Sequence, residues 1–490
     1  MTIETEIKLS LSARAANALT THPMLNGIEP RKQLLVTTYY DTPDNRLRRE
    51  RIVVRFRQVD EDYLLAVKTS GALSGGLAQR GEWEVSRRAG QFDFSHVSDQ
   101  RIRGLVESAR DELQAVFTTQ FRRNAWMLEP IAGTRVELAL DRGWIDACGQ
   151  REPIREIELE LHTGKVTALF DIARKLQETV PLHPEVSSKS ERAYRLLLGA
   201  PTAAVKASLV PISAGMSTIE AFRLIALSCV SHLQSNEKGV CDNDQPEFVH
   251  QARVAVRRLR SAIRLWEPIL PEEFVARFES RWQDFAGSLG DARNWDVFFS
   301  ETLPTLRQFF PTGAEIDSLT RHAQRRCRSC RRAVKATLKS TEYSRLLLDF
   351  TAAVLALPES DAGKLEKFVP RCLNKRAKRV NERAELAVTG DVAARHRLRV
   401  AFKQLRYALE FFTTLLTGPT LPNYHHSATA LQELLGTLND LAVATQLVAE
   451  ALPGKKGQAI EAWLLARGES LLPELATVLG DFQHQEVPWK

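Results

Sequence analysis

The sequence lacks any apolar run approaching the ~18–20 residues that a membrane-spanning helix requires, which excludes a helical membrane protein. Six cysteines in 490 residues are too few and too scattered for a disulfide scaffold. The opening Met1-Thr2-Ile3-Glu4-Thr5-Glu6-Ile7-Lys8 is charged where a signal peptide would be apolar, so a reducing, cytoplasmic setting is expected. No Ser/His/Asp or Cys/His arrangement stands out, nor any Walker-type loop. Gly71-Ala-Leu-Ser-Gly75-Gly76 is glycine-rich but lacks the following Lys-Ser/Thr, and reads as a hairpin loop. With 44% hydrophobic and 26% charged residues, wholesale disorder is excluded as well. The length suggests two or three domains.

Charge is unevenly spread. Of 67 basic and 60 acidic side chains, residues 1–200 hold 29 and 28, leaving 38 and 32 for residues 201–490. The composition changes at the same place, at a linker over 201–213 bounded by Pro201 and Pro211. Domains at 1–200 and 214–490 follow.

The first domain alternates with a period of two. Glu4, Glu6 and Lys8 oppose Ile3, Ile7 and Leu9; Arg55 and Arg57 oppose Val54 and Phe56. Arg80, Glu82 and Glu84 flank Gly81, Trp83 and Val85. Glu137 and Asp141 flank Leu138 and Leu140, and Glu156, Glu158 and Glu160 alternate with Ile157, Leu159 and Leu161. Asp60-Glu61-Asp62 and Asp141-Arg142-Gly143 read as turns between such runs. A single strand of this kind is a solvated face. Repeated faces dense in Arg and Glu instead fit an antiparallel sheet closed into a barrel, with charges lining a tunnel and the apolar face covered by helices. Candidate covering helices run from Leu11 to Thr20, His96 to Ala115 and Gly164 to Val180.

Carboxylates sharing a lumen repel one another unless a cation joins them. Glu4, Glu6, Asp141, Glu156 and Glu158 are hard oxygen donors suited to Mg²⁺ or Mn²⁺. The arginines and lysines require an anion with many oxygens, and a di- or triphosphate supplies it. The order Glu4-Thr5-Glu6-Ile7-Lys8, Tyr40-Asp41-Thr42, Arg55-Phe-Arg57, Lys68, Arg80-Gly-Glu82-Trp-Glu84, Asp141-Arg-Gly143, Glu156-Ile-Glu158-Leu-Glu160 and Ser188-Lys189-Ser-Glu-Arg192 resembles the CYTH superfamily of triphosphate tunnel metalloenzymes. That resemblance implies metal at Glu4, Glu6, Asp141, Glu156 and Glu158, with Glu4, Glu6, Lys8, Glu156 and Glu158 as the catalytic set. It implies triphosphate held by Lys8, Arg55, Arg57, Lys68, Arg122 and Lys189. Arg80, Arg135, Glu82, Glu84, Glu137 and Glu160 would support them. Arg122 is taken from a pair with Arg123, and register alone decides between them.

From about Met216 the period becomes 3.6. His250-Gln-Ala-Arg253-Val-Ala-Val-Arg257-Arg258-Leu-Arg260 returns 146 residues later as His396-Arg-Leu-Arg399-Val-Ala-Phe-Lys403-Gln-Leu-Arg406. The same offset maps Leu289-Gly290-Asp-Ala-Arg-Asn294 onto Leu435-Gly436-Thr-Leu-Asn-Asp440, so the domain is a tandem duplication. Ala252, Val256, Leu259, Ile263 and Trp266 form one stripe, echoed by Leu398, Phe402, Leu405, Leu409 and Phe412; these are core positions. The adjacent stripe is basic: His250, Arg253, Arg257, Arg260 and Arg264, then His396, Arg399, Lys403 and Arg406, with little acidic compensation nearby. Basic runs over 321–339 and 371–383 add to it. Few aromatics stand beside these stripes for base stacking, which disfavours nucleic acid. Cys327-Arg-Ser-Cys330 has no second ligand pair and reads as inert.

These motifs resemble the two halves of a CHAD domain, a conserved-histidine α-helical domain, which implies inorganic polyphosphate binding. The expected fold class is α+β: a closed antiparallel barrel with covering helices, then an all-α bundle built by duplication. The expected activity is metal-dependent hydrolysis of inorganic triphosphate, with polyphosphate held by the helical domain and association with polyphosphate granules. Adenylate cyclase, thiamine triphosphatase and a non-catalytic granule-binding protein are the alternatives.

Overall fold

The computed structural model describes residues 2–59, 62–69, 71–199, 203–311, 313–359, 363–389 and 391–489. The turn expected at Asp60-Glu61 and the first two linker residues, Pro201 and Thr202, lie outside them. Strands β1 (Thr2–Ser10), β2 (Arg31–Asp41), β3 (Ile52–Val59) and β4 (Asp62–Thr69) are followed by β5 (Leu77–Ser86), β6 (Gln114–Ile131), β7 (Thr134–Ala147) and β8 (Gln150–Thr163). They pair antiparallel in the order β1–β8–β7–β6–β2–β3–β4–β5. Strand β5 then pairs back onto β1, with Glu4 opposite Arg80 and Ile7 opposite Leu77, which closes an eight-stranded barrel. Gly71–Gly76 holds a short strand, Ala72–Ser74, turned back onto β5 through Gly75 and Gly76.

Alternation fixes which side chains face out. Ile7, Leu9, Leu138, Leu140, Ile157 and Leu159 form a core with helices Ala13–Leu19 and Thr167–Gln177. Val54, Phe56, Leu65 and Val67 pack with helix Gln100–Ala109. The covering helices are therefore those expected, with shorter ends; Ala115 already belongs to β6. Inward-facing Leu35, Tyr39, Phe117, Phe121, Ile145 and Ile154 pack on Ala193 and Tyr194 of helix Lys189–Leu198. That helix starts where Ser188 and Glu191 make a reciprocal capping box, which sets Lys189 at its first position.

One covering element comes from far along the chain. The chain divides into two compact units, residues 1–203 with 339–356, and residues 204–338 with 357–490. In the first unit, helix Thr341–Leu355 lies against helix Thr167–Gln177, and its Leu348 joins the core of Ile7 and Leu159. Ser344 Oγ is 2.9 Å from His183 Nδ1, and Arg345 donates to the Gln177 carbonyl at 3.0 Å. A Cβ at Gly75, whose φ is +58°, would stand 2.1 Å from Thr351 Oγ1, so both backbone and space demand glycine there.

The second unit carries the duplication in its helix boundaries. Adding 146 to Thr218–Asp242, Pro246–Trp266 and Glu272–Val297 gives 364–388, 392–412 and 418–443, beside helices Leu365–Thr389, Val392–Phe411 and Leu421–Ala451. Both predicted apolar stripes are buried, and Trp266 joins the repeats with ring centroids 5.8 Å from Phe222 and 5.6 Å from Phe412. The stretch 203–213 has no helix or strand, yet it is fastened down: the Val205 amide donates to Asn236 Oδ1 at 2.9 Å, and Val210 and Ile212 are buried. No helix among the described residues is long and apolar enough to cross a membrane.

Candidate active site and basic cleft

The inward face of the barrel carries Glu4, Glu6 and Lys8 from β1, Arg55 and Arg57 from β3, Lys68 from β4, and Arg80 and Glu82 from β5. Arg123 comes from β6, Asp141 from β7, and Glu156, Glu158 and Glu160 from β8. Lys189 enters from its helix. Charges of both signs meet in two groups. Lys68 Nζ lies 2.9 Å from Glu4 Oε2 and 2.9 Å from Glu82 Oε2, and Arg80 Nε donates to Glu4 at 3.1 Å while also contacting Glu6. Burial raises the Glu4 pKa, but Lys68 and Arg80 outweigh it and hold the carboxyl at about 2.

In the other group, Arg123 donates through Nε and Nη2 to the two Asp141 oxygens at 2.7 Å each, and reaches Glu158 as well. Lys189 Nζ donates to Asp141 at 2.8 Å and Glu158 at 2.9 Å, and touches Glu156. Lys8 completes it, 3.3 Å from Glu158. Burial opposes ionisation of Glu158, yet Lys189, Lys8 and Arg123 drive its pKa well below the usual range. Asp141, Glu156 and Glu158 each place a carboxylate oxygen within 4.8 Å of the others, with Asp141 and Glu156 fully buried. Three clustered hard oxygens fit a divalent cation such as Mg²⁺ or Mn²⁺. Glu4 and Glu6 do not join that cluster among the described residues; Lys68, Arg80 and Lys8 engage them instead.

Arg57 differs from its neighbours. No ion pair to it is present among the described residues, and its Nε has no hydrogen-bond partner. Burial first, then Arg55 and Arg123, pulls its pKa down to about 10. Glu160 is shifted the other way, up to about 7, by burial and by the negative charges of Glu4 and Glu137.

Two expected lumen residues are corrected. Arg122 is exposed on the outer face, opposite Arg142, whereas Arg123 pairs with Asp141. The parity was readable: Trp126 and Leu128 pack in the outer core, which puts odd-numbered residues of this strand inside. Arg135 shares the parity of Glu137 and Asp141 but is exposed near the start of its strand, where the pairing with the next strand is irregular. Arg192, which closes the Ser188-Lys189-Ser-Glu-Arg192 motif, donates to Glu156 at 3.1 Å and Glu152 at 2.6 Å, fixing the base of the acidic group.

In the helical unit, both copies of the duplicated motifs converge. A cleft is lined by His250, Arg253 and Arg257 from the first repeat and by Arg399, Asn439 and Asp440 from the second, with Arg293 beside them. Arg257 donates to Tyr407 Oη at 2.7 Å. Burial lowers the Lys403 pKa most, and Arg257, Arg399 and Arg253 add to it, leaving the amine at about 5. Burial and neighbouring cations likewise bring Arg253 and Arg399 to about 10. His250 is lowered by burial and then by Arg293.

The basic stripe does not enter the cleft whole. Arg260 and Arg264 pair with Glu279 of a neighbouring helix at 3.4 and 2.7 Å, Arg406 lies 3.7 Å from Glu410, and fully buried Arg258 pairs with Glu410 at 2.7 Å. Acidic compensation thus exists, supplied across helices to Arg258, Arg260 and Arg264 and within one helix, four residues on, to Arg406. His396 stands at an adjoining hollow rather than in the cleft. The 321–339 run is partly neutralised too, with Arg331 2.8 Å from Asp296 and Arg326 3.2 Å from Glu450. Cys327 donates to the Trp295 carbonyl at 3.3 Å, and the thiols are free.

A closed antiparallel barrel with a mixed-charge lumen, joined to a duplicated helical unit with a basic cleft, defines the class. The chain belongs to the CYTH–CHAD proteins: the CYTH domain model matches residues 2–194 and the CHAD domain model residues 224–449. An inorganic triphosphatase of Haemophilus influenzae is 32% identical over 197 residues, covering 39% of this chain and 54% of that protein. An uncharacterized protein of Mycobacterium tuberculosis is 29% identical over 226 residues, covering 43% of this chain and 41% of that one. The chain therefore spans about half the length of the curated relatives it matches. The crystal structure of the CHAD domain from the plant Ricinus communis matches with a TM-score of 0.50 and 30% identity, covering 57% of this chain and 96% of that domain.

Proposed function

We propose that the barrel hydrolyses inorganic triphosphate to pyrophosphate and phosphate, and that the cleft of the helical domain holds inorganic polyphosphate. Arg57 carries the first reading. A lumen guanidinium that makes no ion pair among the described residues, beside Arg55 and Arg123, is a site for phosphate oxygens. The similarity to an inorganic triphosphatase supports the same substrate.

Asp141, Glu156 and Glu158 would hold Mg²⁺ or Mn²⁺, which would supply Lewis-acid charge against the phosphate oxygens. The protein's own cations do the rest. Lys8, Arg55, Arg57, Lys68, Arg123 and Lys189 orient the chain of phosphates and meet the charge that spreads over equatorial oxygens during transfer. Carboxylates hold these cations in place, Arg57 excepted, as Glu158 does for Lys8, whose pKa it raises against the effect of burial. Arg57→Ala tests this reading: tripolyphosphate turnover should fall at least ten-fold with the helical domain untouched, and unchanged turnover contradicts it.

Convergence of Arg253, Arg257, Lys403 and Arg399 supports the second reading, since cations crowded together and partly buried gain most from an anion. Long-chain polyphosphate should bind with salt-sensitive affinity, weakened by Arg253→Ala with Arg399→Ala. Salt-insensitive binding would contradict it.

A further inference from the structure

The two helical repeats differ beside the cleft. In the first, Trp295 is buried, with its ring centroid 5.7 Å from Phe298 and 5.4 Å from His322. The 146-residue offset carries Trp295, Phe298 and Phe299 onto Leu441, Ala444 and Thr445. Three aromatic rings are thus replaced by smaller side chains. At two of these positions the second repeat has a hollow, lined in part by Leu441 and Thr445, while Ala444 faces the basic cleft.

Its wall is built from two chemistries. Leu435, Leu438 and Leu464 are buried and apolar, while Arg395, His396 and Arg399 come from helix Val392–Phe411. Asn439 adds an amide that can both donate and accept. Arg399 and Asn439 also line the basic cleft, so hollow and cleft adjoin. A chain of phosphates gains nothing from a leucine wall, and a plain hydrocarbon gains nothing from arginines. A lining that is mostly apolar with a few convergent polar groups has the chemistry of a small-molecule site.

We propose that this hollow binds a nucleotide, a phosphate carrying a flat heterocycle, with the ring on Leu435, Leu438 and Leu464 and the phosphate at Arg399. The ring takes the space that Trp295 and its neighbours occupy in the first repeat. Because Arg399 serves both hollow and cleft, a nucleotide bound here competes with a polyanion in the cleft. This inference does not depend on the reading of the barrel.

Calorimetry on the full chain with AMP tests it, with ribose 5-phosphate and orthophosphate as ringless comparators. AMP, a monophosphate, is not a triphosphatase substrate. Two variants fill the hollow: Leu441→Trp restores the ring of the first repeat, and Gly468→Met adds a side chain where nothing lies within 4 Å of a Cβ. AMP should bind at least ten-fold more tightly than ribose 5-phosphate, and each folded variant should weaken AMP at least ten-fold. If Leu441→Trp does not fold, Gly468→Met alone decides. Absence of AMP binding, equal binding of ribose 5-phosphate, or wild-type AMP affinity in a folded variant overturns the proposal.

Discussion

Replacing Arg123 and Arg122 one at a time separates the inner and outer faces of a single strand. Arg123 makes two 2.7 Å hydrogen bonds to fully buried Asp141 and a third contact to Glu158. Removing one partner of a buried ion pair costs roughly 3–5 kcal/mol when its charge is left uncompensated. Here Lys189 still serves Asp141 at 2.8 Å and Glu158 at 2.9 Å, so a loss nearer ~2 kcal/mol is expected. If that loss falls on substrate binding and transfer, it corresponds to about 30-fold in kcat/KM, at ~1.4 kcal/mol per factor of ten. Arg122 is exposed and faces Arg142, so Arg122→Ala should stay within about two-fold. Initial rates of phosphate release from tripolyphosphate read both. An Arg122→Ala protein as impaired as Arg123→Ala would mean that the register is displaced by one residue, turning every side chain of the strand over.

Three further outcomes are expected. Lys403, held at about 5 by burial and the nearby cleft arginines Arg257, Arg399 and Arg253 against 10.5 for an ordinary lysine, is largely neutral at pH 7.5, and a polyanion bound at those arginines raises its pKa. Polyphosphate binding should therefore take up about one proton, seen as a difference in calorimetric heat between Hepes and Tris; Lys403→Met should abolish that difference. The same depressed value costs folding stability increasingly as pH falls from 10.5 towards 5, so Lys403→Met should stabilise the helical domain more at pH 6 than at pH 10, measured by urea unfolding. Leu348→Ala should destabilise the barrel by about 3 kcal/mol in urea unfolding, because Leu348 is fully buried in its core; a loss below ~0.5 kcal/mol would show that helix Thr341–Leu355 is not part of that core.

Much of this was legible in the residues. Charged and apolar side chains alternating along Glu4–Leu9 and Glu156–Leu161 dictate a sheet with one polar face, and closure is the way to cover both sets. The 146-residue offset foretold which helices correspond. Register was harder: Phe121-Arg-Arg-Asn offers two basic candidates, and only the parity of Trp126 and Leu128 chooses between them. The irregularity at Arg135 leaves no trace in an alternation pattern. Long-range pairing was out of reach. Glu279 and Glu410 neutralise arginines on other helices, and Leu348 completes a core begun at Ile7, because contacts separated by hundreds of residues are set by packing rather than by local pattern.

The most direct test is phosphate release by the full chain with Mg²⁺ or Mn²⁺ across tripolyphosphate, ATP, thiamine triphosphate and pyrophosphate. The account predicts fastest turnover of tripolyphosphate, abolished by chelator and reduced at least 100-fold by Glu156→Gln. Equal or faster turnover of ATP or thiamine triphosphate, or full activity in the Glu156→Gln protein, would contradict it.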